Sequence, residues 1–222
     1  MSTGTGTPTA PAVPESLGRQ ALVLAVIIGV IASLGAAAFL GIVNGLQEYL
    51  WSDLPGTFGW TTIPAWWIFL LLLIGAAVVA LAWRMPGATG EGPLTGLHFN
   101  VLPINAPAIL LAAAGSLVFG IVLGPEAPLV ILGTTLGALL LRGKPPQVVQ
   151  LGMLLGGAAA IGLILGNPFV TAFMLLEFSA MGAMPAVALV PAFVALGTGY
   201  LVQIGVGAWS GLHMHALVVP GL

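Results

Sequence analysis

Charged side chains are scarce in this chain, and their scarcity excludes a soluble fold. Asp, Glu, Lys and Arg make up 5% of its 222 residues, whereas 59% of the residues are hydrophobic. Soluble domains carry roughly 25% charged residues, and a mean hydropathy of +1.15 is that of an integral membrane protein. The net charge of −2 also argues against nucleic acid as a partner.

Cysteine is absent, which removes disulfides, thiolate catalysis and thiolate metal sites. The three histidines, His98, His213 and His215, are scattered and lack partners at metal-ligand spacing. We read them as loop or interfacial residues. No Ser/His or His/Glu pair stands at usable spacing, so we expect neither an enzyme nor a metal or cofactor.

The apolar segments predict an all-α, polytopic transmembrane protein with tilted and broken helices. Residues 1–18 are rich in Ser, Thr, Gly and Pro and predict a disordered tail, which leaves 19–222 as the transmembrane domain. A helix needs about 20 residues to cross the hydrocarbon core. The long segments are 21–46, 68–83, 148–165 and 187–204, and the short or interrupted ones are 101–123, 127–141 and 169–181.

The flanking residues predict an orientation and a packing mode. Residues 47–53 and 60–67 are polar and aromatic, which is typical of a membrane interface. Arg19 and Arg84 flank an out-and-back helix pair, so both are expected on the cytoplasmic side. Glycine is abundant, at 32 residues, which suits helices packed closely through small residues.

Glu126 is a carboxylate in a stretch that tolerates little charge, because 101–123 and 127–141 contain no Asp, Glu, Lys or Arg. Ionisable residues inside membranes are costly and mark functional sites. Gly124 and Pro125 break the preceding helix, and Pro128 suits the first turn of a new one. Glu126 is therefore expected at a helix N-terminus, where unpaired N–H groups and the helix dipole favour negative charge.

Short, Pro- or Gly-interrupted segments of this kind are the best sequence indication of a transporter binding site near the midplane. Irregular backbone at that depth must be buried in protein or line a cavity. The pattern thus predicts a pathway for a solute, and the helix N-termini predict that the solute is an anion. An acid capping an ordinary interfacial helix is the alternative interpretation of Glu126.

Three motifs resemble the N-terminal half of the CLC family of chloride channels and proton/chloride antiporters. The segment 124–130, Gly-Pro-Glu-Ala-Pro-Leu-Val, resembles the family's Gly-Lys/Arg-Glu-Gly-Pro-x-Val. The segments 157–160, 166–168 and 175–177 are similar to its Gly-Ala-Ala-Ala-Gly…Asn-Ala-Pro…Glu-Glu stretch. Gly90-Glu91-Gly92-Pro93 stands where the family has Gly-Ser-Gly-Ile-Pro.

The resemblance implies the fold of the first inverted repeat of a CLC channel, with Glu126 as the external gating glutamate. It also implies an anion pathway and a possible proton pathway. The anion pathway takes Gly124, Pro125, Ala127, Pro128, Gly90, Glu91, Gly92 and Pro93, and the proton pathway takes Glu177.

Four departures from the family pattern alter what is expected. Pro125 replaces a basic residue and Ala127 a glycine, so the positive field near the anion is reduced. Glu91 falls at the chloride-coordinating serine, so the central site is altered or the alignment is shifted by a few residues. Phe178 replaces the second of the paired glutamates, which favours channel-like flow over proton coupling, although Glu177 one place earlier is a candidate substitute.

The expected partners are chloride or a similar small anion, membrane lipid and, by family resemblance, a second copy in a homodimer. No second copy of the pattern follows, so a second half is expected elsewhere, or the chain is a fragment, half of a split system or a degenerate relative. The expected location is the plasma (inner) membrane. Two other functions stay open: a membrane scaffold without a pathway, and a secondary transporter of another anion, such as an organic one.

Overall fold

The computed structural model describes residues 15–60, 62–86, 103–121, 124–182 and 184–210, and it is all-helical over these ranges. Within these ranges eight α-helices follow one another, with a π-helical turn after the first and two short 3₁₀ turns. The α-helices are α1 (Glu15–Glu48), α2 (Leu54–Thr57), α3 (Ala65–Ala82), α4 (Ala106–Val118), α5 (Glu126–Leu140), α6 (Pro146–Leu165), α7 (Pro168–Ala180) and α8 (Leu189–Ser210). The π-turn is Tyr49–Asp53, and the 3₁₀ turns are Pro103–Asn105 and Ala186–Ala188.

Four helical stretches in the described part of the chain are long and apolar enough to cross a membrane: Gly18–Thr57, Ala65–Ala82, Pro146–Leu165 and Ala186–Gly205. The two helices predicted to be short, α5 and α7, have 15 and 13 residues, and α4, which forms in the interrupted segment 101–123, has 13. The predicted all-α membrane fold is confirmed. Proline stands in the first turn of α4, α6 and α7, where its missing N–H costs no intrahelical bond.

Three helix boundaries differ from the sequence prediction. Helix α1 does not end near Leu46, because its helical path continues through the π-turn and α2, where Pro55 occupies a first-turn position. Helix α1 also begins at Glu15, within the segment predicted as a tail. Helix α4 ends at Val118 rather than Leu123, since Gly120 adopts a φ of +91° that an α-helix cannot continue through.

Helix α6 lies at the centre of the fold, and every residue from Gly152 to Leu163 is buried. It packs against α1, α5, α7 and α8, while α3 packs mainly against α4. The larger core cluster joins Ala25 and Ile28 of α1 to Leu155 of α6, and a second joins Leu40 to Leu163. Because the numbers rise together, α1 and α6 run in the same direction.

Helices α5 and α6 run antiparallel and approach through glycine, as the composition predicts. A Cβ added at Gly133 would meet the carbonyl oxygen of Gly156, and one at Gly137 would meet that of Gly152. The backbones of α5 and α6 are therefore in direct contact, and this close approach fixes the position of α5 against α6.

Candidate functional site

Glu126 is the first residue of α5, so the prediction that a helix begins there is confirmed. Its N-cap, Pro125, offers no side-chain hydrogen bond to the helix. The first amides of a helix have no intrahelical acceptor, but Pro128 in this first turn has no N–H. The Leu129 N–H bonds the Pro125 carbonyl at 3.1 Å. The donors at this N-terminus are therefore the amides of Glu126 and Ala127.

The Glu126 carboxylate folds back over Gly124. A Cβ added at Gly124 would lie 2.8 Å from the Glu126 Cδ and would strike the carboxylate oxygens. Glu126, Gly124 and Ala127 are exposed, whereas Pro125 is half-buried and Pro128 is buried. The carboxylate thus lies on the approach to the helix start, and the absence of a side chain at Gly124 leaves space for it there.

Glu126 lies towards the same end of the fold as the last residues of α1. Leu129, three residues after Glu126, shares a core cluster with Leu40 of α1 and Leu163 of α6. Leu40 lies eight residues before the last residue of α1, and Leu163 lies two residues before the last residue of α6.

The four basic residues all lie at the opposite end of the molecule. Arg19 is near the start of α1, and Arg142 and Lys144 connect α5 to α6 at the start of α6, which is the same end. The Trp67 indole donates to the Leu50 carbonyl at 3.3 Å, so α3 begins where α1 ends and returns towards Arg84. We call this the basic end, defined by Arg19, Arg84, Arg142 and Lys144, and the other the Glu126 end.

A second helix N-terminus lies at the Glu126 end, and it is closed by its own side chain. The Asn167 Oδ1 accepts from the amides of Phe169 at 3.0 Å and Val170 at 3.3 Å, which is a standard N-cap. Gly166 ends α6 in the left-handed conformation, and the Gln203 side chain of α8 lies over it. The first amides of α7 are therefore already bound within the protein.

Glu177 lies far from Glu126, in the last turn of α7 and towards the basic end. It is exposed, and it is ten residues, or about 15 Å of helix, from Asn167. Phe178 is half-buried and packs against the larger core cluster. The structure does not bring the two carboxylates together.

Gly90, Glu91, Gly92 and Pro93 lie outside the described residues, as do His98, His213 and His215. Among the residues that the structure describes, no group of three His, Cys, Asp or Glu could hold a metal ion.

Sequence reasoning missed two residues at the Glu126 end. Asn167 could have been assigned as a cap, because Asn before Pro at a helix start combines two N-terminal signals. Trp51 donates from its indole Nε1 to the Val118 carbonyl at 3.0 Å, across 67 positions of sequence. No local pattern predicts a contact of that separation.

Part of the chain is similar to proteins that are named for ion transport. No protein-family model matches the chain. It is 32% identical over 154 residues to proteins named "Putative ion-transport protein YfeO" from Salmonella paratyphi A, Salmonella schwarzengrund and Salmonella typhimurium. The match covers 68% of this chain and 38% of each relative. This chain is thus a helical membrane protein, similar over part of its length to proteins named for ion transport.

Proposed function

We propose that this chain forms part of a membrane pathway for small inorganic anions, with chloride as the first candidate, and that Glu126 gates it. The supporting observation is the exposed Glu126 carboxylate, which lies at a helix N-terminus that has no side-chain cap. The relatives' name supports ion transport in general. The resemblance of 124–130 to the CLC motif supports the choice of an anion.

In the proposed gating, the Glu126 carboxylate and the anion compete for the positive electrostatic field at the N-terminus of α5. The N-terminus of α5 favours negative charge through its free amides and its dipole. Glu126, folded back over Gly124, occupies the position from which an anion would use that field. When the carboxylate is protonated or swings away, the position is released. Flux should therefore depend on pH and on the concentration of the anion.

We further propose channel-like flow rather than proton exchange. Phe178, at the position of the family's inner proton glutamate, packs into the core and carries no proton. Glu177 is exposed beside it and stays the candidate for any residual proton pathway. Roles for residues 90–93, a homodimer and a complementary second half also stay predictions.

The distribution of basic residues supports an orientation. Arginine and lysine are enriched on the cytoplasmic side of membrane proteins, so we propose that the basic end faces the cytoplasm and Glu126 opens away from it. The plasma membrane is the proposed location. Because the sequence lacks cysteine, a single cysteine at exposed Thr57 or Gln147 would report each end by impermeant thiol labelling. Labelling of Thr57→Cys from the cytoplasmic side would contradict the proposal.

The test of function is anion efflux from liposomes containing the purified chain, alone and with the unmatched part of a Salmonella relative. Glu126→Gln removes the charge at nearly constant shape, and its flux should lose most of its dependence on pH. An exposed charge at a helix terminus is worth about 0.3–1 kcal/mol, so the half-saturating anion concentration should fall roughly twofold to fivefold.

Two further variants locate the effect. Gly124→Ala should act in the same direction as Glu126→Gln, because the added methyl group displaces the carboxylate. Glu48→Gln removes an exposed acid at the end of α1 and serves as the matched control, expected to leave flux unchanged. Anion efflux in neither preparation would overturn the pathway and favour a scaffold. Efflux that ignores Glu126 would overturn the gate.

A further inference from the structure

Trp51 bridges the π-turn after α1 to the C-terminal end of α4. Its indole Nε1 donates to the Val118 carbonyl at 3.0 Å, one of the carbonyls that a helix C-terminus leaves without an intrahelical donor. Its ring also covers Gly120, where an added Cβ would lie 2.6 Å from Cζ2 and 3.2 Å from Cη2. One side chain thus holds both the last residue of α4 and the start of the connection to Glu126.

The connection between α4 and α5 is anchored on this side. Gly120 has a φ of +91°, which favours glycine. The Ile121 N–H donates to the Ser116 carbonyl at 3.0 Å, and the Gly120 N–H to the Leu117 carbonyl at 3.4 Å. The far side of the connection is fixed by α5 itself, which is seated on α6. Trp51 therefore contacts the start of the connection, at Val118 and Gly120, whereas α6 holds the helix that begins at Glu126.

The π-turn that carries Trp51 is itself held from α3. The Trp67 indole donates to the Leu50 carbonyl at 3.3 Å. Trp67 in turn lies edge-on to Trp60 and Trp66, with ring centroids 5.7 Å apart in each pair. π-Helical turns are rare and occur frequently at functional sites. A continuous series of contacts therefore runs from the aromatic cluster, through Leu50 and Trp51, to the connection before Glu126.

We propose that Trp51 is a positioning residue for the Glu126 gate. It acts through Val118 and Gly120 and does not contact the anion. The inference rests on the proposed function, since it assigns a determinant of where the gating carboxylate stands. Loss of the indole N–H frees the Val118 carbonyl and lets the connection shift, which changes how well the carboxylate competes for the start of α5.

The test separates this role from a purely structural one by measuring half-saturating anion concentration and maximal flux separately. Trp51→Phe keeps an aromatic ring but removes the N–H donor. We expect it to shift the half-saturating concentration roughly threefold or more, a coupling typical of residues in one contact network. The same substitution made together with Glu126→Gln should produce no further shift. Trp83→Phe, in a residue 74% exposed beyond α3, is the matched control and should change neither quantity.

Three results would overturn the proposal: no shift in Trp51→Phe, an equal shift with and without Glu126, or a change in maximal flux alone. If Trp51→Phe does not fold, Trp67→Phe removes the next donor in the series and should give a smaller shift that also requires Glu126. Failure of the proposed function has a different signature. In that case Glu126→Gln by itself leaves anion flux unchanged.

Discussion

Helices α5 and α7 are both short and both follow a Pro- or Gly-containing break, yet they are held in opposite ways. Eight of the 15 residues of α5 are buried, whereas Thr171 and Leu175 are the buried residues of α7. The N-termini differ in the opposite sense: the less buried helix, α7, has an Asn side-chain cap, whereas the more buried helix, α5, has no side-chain cap. Close packing along α5 stabilises the helix without a side-chain cap, so the amides of Glu126 and Ala127 keep no intrahelical acceptor.

A substitution at Gly137 should disrupt the close packing of α5 on α6. Its Cβ would strike the Gly152 carbonyl oxygen, which belongs to backbone and cannot turn away. We expect Gly137→Ala to destabilise the protein by about 1–3 kcal/mol or more, the usual cost of overpacking. Thermal unfolding in detergent measures it.

Gly45→Ala in α1 is the matched control, since nothing lies within 4 Å of its added Cβ. Replacing an open helical glycine by alanine is favourable by up to roughly 1 kcal/mol. Equal melting temperatures for the two variants would contradict the close approach of α5 and α6.

The capping side can be tested by exchanging the caps. Asn167→Ala should cost about 1 kcal/mol of stability and leave the half-saturating anion concentration unchanged. Pro125→Asn should add a cap to α5, because the Asn side chain would accept a hydrogen bond from the Ala127 amide. We expect this variant to stabilise α5 by roughly 0.5–1 kcal/mol and to raise the half-saturating anion concentration. Melting temperature and anion titration of both variants supply the readouts. An unchanged anion titration in Pro125→Asn would show that the α5 amides do not bind the anion.

The sequence predicted those features that depend on local chemistry. The start of α5 at Glu126 follows from Gly124, Pro125 and Pro128, and the short lengths of α5 and α7 follow from their flanking breaks. The close α5–α6 contact was predicted only as a general use of glycine. Which glycines face one another depends on helix register, which composition does not contain.

The features that could not be predicted are set by tertiary contacts. The apolar segment 21–46 does not show where the helical path of α1 ends, because Pro55 stands in the first turn of α2, a position that accepts proline. The bond from Trp51 to Val118 joins distant segments. The gathering of all four basic residues at one end required the direction of α5 and α6, which the sequence pattern left open.

The separation of Glu126 from the four basic residues, which lie at the other end of the fold, has an electrical consequence. Moving one elementary charge across the whole membrane is worth about 2.3 kcal/mol per 100 mV, and a carboxylate that swings within the membrane field feels part of that energy. Under the proposed function, currents across a planar bilayer should therefore vary with voltage, and Glu126→Gln should weaken that dependence.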